Sequence, residues 1–129
     1  MEVRNRQWLQ PELLDVLRQR NVALVLVDLA YMPHPAGLQD MDLVTADFSY
    51  ARLIGDRKKV DEATRTFDRI VVDQSSRLER WVPLLQSLGN QVVDLYVFAN
   101  NHYAGHGPAT IRDLIARLEK ANKEQQGDE

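Results

Sequence analysis

QVVDLYVFANNHYAGHGPATIRDLIARL, residues 91–118, decides the fold. An apolar run, QVVDLYVFA, ends at two asparagines. Histidines, a tyrosine and two glycines follow, and Pro108 then opens a helical pattern in which Ile111, Leu114, Ile115 and Leu118 share one face. Proline is well placed in a first helical turn, because the N–H it lacks has no partner there. The stretch therefore reads as a strand, a polar turn and a helix.

The same unit recurs upstream. VALVLVDL, residues 22–29, is almost continuously apolar, as suits a parallel strand covered on both faces. A helix from Pro11 to Asn21 precedes it, with Leu13, Leu14 and Leu17 at helical spacing. Residues 2–5 read as a short first strand, 30–45 as a long loop carrying Pro33, Pro35 and Gly37, and DFSYARLIG, residues 47–55, as the third strand. Residues 56–73 read as an excursion with little regular structure. SSRLERWVPLLQSLG is a helix ending at Gly89 and kinked or restarted at Pro83. Strands alternating with helices predict an α/β domain with a parallel sheet. That domain spans 1–118, and the charged segment 119–129 reads as a frayed tail.

Composition narrows function mainly by exclusion. The 129 residues suit one domain. A net charge of −3 and a pI near 5.6 argue against a broad nucleic-acid footprint. With no cysteine there are no disulfides, thiolate nucleophiles or cysteine-held metals, which fits a reducing compartment. No apolar run approaches the roughly 20 residues of a membrane span, and MEVRNRQW has no apolar signal core. The expected location is the cytoplasm.

Each strand turns polar near its end. Side chains alternate along a strand, so Leu26 shares a face with Asp28, Tyr50 with Arg52, and Phe98 with Asn100. If those faces align, Arg4, Asp28, Arg52 and Asn100 form one polar row at the carboxyl edge, where parallel α/β folds bind ligands. The competing reading is that Asp28 and the arginines are structural ion pairs.

Here the residues resemble a known family. EVRNRQW, LVLVDL, FSYARLIGDRK and above all FANNHYAGHGPAT are similar to the carboxyl-terminal half of the YecE-like family, domain of unknown function seventy-two. The resemblance covers residues 2–118 and implies a TIM-type barrel. It matches Glu2, Arg4 and Trp8 to the fifth strand, Asp28 to the sixth, and Tyr50, Arg52 and Gly55 to the seventh. Asn100, Asn101, Tyr103, Gly105 and Pro108 match the eighth. Asn5 and Ile54 stand where the family commonly has histidines. A full barrel needs about 200 residues or more, so the implied architecture is a parallel half-barrel of about four strand–helix units. Its open edges and apolar inner face invite association, either as a homo-oligomer or with a separately encoded amino-terminal half.

Three kinds of chemistry are candidates. A small anionic ligand would meet Gly55, Arg57, Lys58 and Lys59 of one loop and Gly105 and Gly107 of the next, with Tyr50, Asn100, Asn101, Tyr103 and His106 nearby; a solvated charge run is the alternative. General acid–base work would fall to His102 or His106, with Asp28 or Glu2 as partner and Arg52 stabilising charge; bracing of the loop by His102 is the structural alternative. A metal is not expected, since His102 and His106 lie in a glycine-containing turn and no HExxH set exists. No cofactor is implied.

Overall fold

The computed structural model describes residues 1–127. Three strands, β1 (Val25–Leu29), β2 (Phe48–Gly55) and β3 (Asp94–Ala99), form a parallel sheet in the order β1-β2-β3. The helices are α1 (Pro11–Gln19), α2 (Arg57–Ala63), α3 (Ser75–Gly89), α4 (Asn101–Ala104) and α5 (Gly107–Gly127). This is the expected mixed α/β order with a parallel sheet. None of the described helices is long and apolar enough to cross a membrane.

Pro11 occupies the first turn of α1, and Leu14 and Leu17 bury its inner face. Asn21 ends the element with φ of +52°, a conformation asparagine tolerates better than most residues. One face of the sheet presents Leu26, Ala51 and Leu53 to the helices. There they join Leu14, Leu17, Leu78, Trp81, Leu85, Leu88 and Leu114 in a single core. At about 25 cal/mol per Å2 of buried apolar surface, this cluster is the main stabilising contribution of the fold.

Several expectations need correction. Residues 2–5 make only an isolated parallel bridge, Glu2 with Val25, because the segment leaves the sheet at Asn5, which caps a short 3-10 turn over Arg6–Trp8. The excursion after Gly55 opens with a helix. Asp56 accepts from the Lys59 N–H at 3.3 Å and starts α2, and Val60 anchors it in the core. Pro83 does not restart α3, which runs unbroken from Ser75 to Gly89. Helix α5 continues through the supposed tail to Gly127, held partly by Gln86 donating to Asn122 at 2.9 Å. Positions 128–129 of that expected tail lie outside the described residues.

The two faces of the sheet are not alike. On β3, Leu95, Val97 and Ala99 are half-buried towards the helices, while Asp94, Tyr96 and Phe98 are exposed. The register pairs Tyr50 with Tyr96 and Arg52 with Phe98, so these residues share the open face. Tyr50 stacks on Phe98 with ring centroids 4.9 Å apart, and Phe48 meets Tyr96 edge-on at 6.2 Å. The double-sided covering that a continuous apolar run predicts is met by β1 alone.

Candidate functional site

The register also divides the expected polar row. Val27 lies opposite Arg52, and Asp28 opposite Leu53. Asp28 therefore faces the helices, while Arg52 faces the open side. The alternation along each strand is as expected; the alignment between strands is shifted by one residue, which sends Asp28 through the sheet.

On the helix side, Asp28 is fully buried. One oxygen accepts from Arg77 Nε at 2.8 Å and Nη2 at 2.5 Å. The other accepts from Trp81 Nε1 at 2.9 Å and from the Tyr103 hydroxyl at 2.6 Å. His34 Nε2 stands 3.6 Å away. A buried carboxylate needs such donors to offset its lost hydration. Burial and then the Asp28 charge push the Tyr103 phenol far above its ordinary pKa. Burial opposes the charge of Arg77, but the hydrogen bonds and charge of Asp28 raise its pKa overall. Burial lowers the pKa of His34 against the pull of Asp28. His34 Nδ1 accepts from the Ala36 N–H at 3.1 Å, so the neutral ring carries its proton on Nε2.

The open side holds a different set. Arg52 donates to Glu2 at 2.6 Å, and Glu2 also accepts from Arg4 Nε at 2.9 Å. The hydrogen bond and charge of Glu2 raise the pKa of Arg4. Above them, at the carboxyl ends of the strands, is a pocket of about 410 Å3. Arg4, Tyr31, Arg57, Lys58, Asn100 and His102 contribute to its wall, with Gly55 and Asp56. Gly55 has φ of +79°, and a Cβ there would lie 2.7 Å from the Tyr103 Cα. Only glycine lets the β2 end and the α4 turn pass this closely.

Of the residues singled out in the sequence, Arg4, Gly55, Arg57, Lys58, Asn100 and His102 line this mouth. Glu2, Tyr50 and Arg52 lie on the adjoining open face. Five more are turned elsewhere. Asp28 and Tyr103 meet on the helix side. Asn101 Oδ1 accepts from the Gly107 N–H at 2.9 Å and fixes the start of α5. Gly105, with φ of +118°, passes beneath the Arg69 carbonyl and Val71. His106 Nδ1 contacts the Phe67 carbonyl at 2.9 Å. His102 Nε2 pairs with Asp61 at 2.9 Å, not with Asp28 or Glu2, because α2 brings Asp61 over the turn. Among the described residues no three His, Asp or Glu side chains converge as a metal site would require.

The sequence reading missed Arg77, His34, Tyr31 and Asp61 and gave Trp81 no polar role. A signal existed for two of them. An aspartate inside an apolar strand demands donors, and Arg77 and Trp81 lie four apart on one helix face. Nothing local marked Tyr31 or Asp61.

Comparison with known proteins agrees with this fold. A crystal structure of a DUF72 family protein from Thermotoga maritima superposes with a TM-score of 0.62 at 24% identity, over 93% of this chain and 44% of that one. A DUF72 family protein from Enterococcus faecalis gives 0.64 at 17% identity, over 92% and 46%. This chain thus spans less than half the length of the solved structures it matches. Among curated proteins none matches. The profile of the DUF72 family, described as a protein of unknown function, matches residues 1–129, and the chain belongs to that family.

Proposed function

We propose that this chain is one half of a parallel TIM-type barrel and binds a small phosphate- or carboxylate-bearing ligand at the carboxyl mouth of its strands. The observation that carries this reading is the charge of the 410 Å3 pocket. Arg4, Arg57 and Lys58 line it against one carboxylate, Asp56, and that carboxylate is engaged as the cap of α2. Arg57 and Lys58 open α2 just after β2, beside Asn100, which follows β3, and His102 of α4. Ligands of parallel α/β folds bind at this edge.

The catalytic roles divide differently from the row read in the sequence. His102 with Asp61 is the pair placed to move a proton at the rim. Arg52 is held by Glu2 and supports the face below the pocket. Asp28 is a positioning residue, tying Tyr103 and with it the α4 turn to β1 and α3. A second reading, a subunit without turnover that needs a partner half, is favoured by the uncovered aromatics of β2 and β3.

Titration calorimetry with inorganic phosphate tests the proposal. Each cation about 4 Å from a phosphate contributes roughly 1 kcal/mol in water, so Arg57→Ala with Lys58→Ala should weaken binding by about ten-fold or more. Lys120→Ala, on α5, should leave it unchanged. Equal weakening by both, or no phosphate binding by the unaltered chain, defeats the proposal.

A further inference from the structure

The open face has a shape that selects its occupant. The sheet has two free lateral edges. One is β3, which among the described residues pairs only with β2. The other is the segment around Glu2, which bridges Val25 in parallel. Every strand between them runs the same way. Counting the Glu2 segment, the chain supplies four strand positions. Eight parallel strands close a barrel whose interior side chains just fill.

We propose that the occupant is a second copy of this chain, related by a two-fold axis parallel to the strands, so that β3 of each copy docks beside the Glu2 segment of the other. The proposal rests on the half-barrel reading above. A two-fold axis in this direction keeps all eight strands parallel and uses both edges of both copies, leaving no edge open. It also turns Phe48, Tyr96 and Phe98 inward; they are 36%, 46% and 49% exposed in the single chain. The DUF72 proteins of known structure are about twice as long as their match to this chain, which covers 44–47% of them. The fold thus accommodates a second body of this size.

Magnitudes favour closure over simple stacking of faces. Three aromatic side chains of about 200 Å2 each, exposed to that extent, would bury only about 260 Å2 per copy. A stable interface covers about 800 Å2 per partner. The deficit has to come from the strand edges, and β3 alone offers an edge about 20 Å long. Charge raises no obstacle. The open-face acid Glu2 is already paired with Arg52 and Arg4 within its own copy, and the other open-face acid, Asp94, stands at the first residue of β3, on the rim where it stays hydrated.

Light scattering on the purified chain at tens of micromolar reads the outcome. The expected mass is twice the 14.8 kDa of one chain. Phe98→Asp should reduce it to that of one chain with an unchanged helical circular-dichroism spectrum. Val16→Asp, at an exposed position on α1, should leave the mass doubled. A single-chain mass for the unaltered protein overturns the proposal. A doubled mass that survives Phe98→Asp moves the contact elsewhere and also overturns it. If Phe98→Asp fails to fold, Tyr96→Asp, exposed on the same strand, reads the same outcomes. Phosphate titration reports on the mouth separately, so a monomer that binds phosphate through Arg57 and Lys58 defeats the dimer alone.

Discussion

Replacing Asp28 by alanine should cost this protein more than any other single polar substitution. The carboxylate receives four hydrogen bonds from three side chains. Arg77 is a third exposed and can recover water when its partner goes. Trp81 and Tyr103 cannot, since both are fully buried. An orphaned buried donor costs about 1–3 kcal/mol, so two cost roughly 4 kcal/mol, within the range of about 3–5 kcal/mol for breaking a buried pair. Unfolding entropy is about 2.1 cal/mol/K per residue. Over 129 residues that makes 4 kcal/mol equivalent to a fall of about 15 °C in Tm. Thermal melts followed by circular dichroism, with Trp81 fluorescence as a local probe, measure it. Tyr103→Phe removes one donor and leaves one acceptor site empty, and should cost about 1–2 kcal/mol. An Asp28→Ala loss below about 1 kcal/mol, the level of an ordinary surface change, would refute the claim that this carboxylate holds β1, α3 and the α4 turn together.

Other consequences are as direct. Gly55→Ala places a methyl group 2.7 Å from the Tyr103 Cα at a positive φ and should destabilise by about 3 kcal/mol. Gly89→Ala, with nothing within 4 Å at the end of α3, should be neutral or stabilise by up to about 1 kcal/mol; denaturant melts compare the two. His34 has its pKa lowered in the fold, chiefly by burial. The unfolded chain then binds the proton more readily, so the stability is present above about pH 6.5 and is lost as pH falls from there through the folded value. Stability measured between about pH 7 and 5 should show this decline, and His34→Gln should flatten it. Asp61→Asn, in an exposed pair with His102 at 2.9 Å, should change stability by no more than about 0.5 kcal/mol in the same melts.

The strand–turn–helix order could be read from the chain because apolar runs and helical spacing are local properties. What lay between strands could not. The shift of one residue that sends Asp28 to the helix side depends on the register with Leu53, which no single segment encodes. Helix α2 was hidden because only Val60 of its seven residues is buried, leaving no apolar stripe to detect. The polar turn at 100–106 was correctly placed at the carboxyl edge, but its composition overstated its share of the pocket wall. Asn101, Tyr103 and His106 are occupied in building the turn itself, and only Asn100 and His102 of that stretch reach the pocket. Residue type alone cannot separate the two uses, since both require hydrogen-bonding groups.

Tyr103 thus works as a fastener for the α4 turn. Its hydroxyl is bolted to β1 through Asp28, and its carbonyl is gripped by Gln74, the residue that precedes α3, at 2.8 Å. An engineer wishing to vary the pocket wall has a clear rule. Positions 100 and 102 can be randomised with the turn still seated, whereas a library that includes 28, 77, 81 or 103 will return mostly misfolded clones, whatever the chemistry sought.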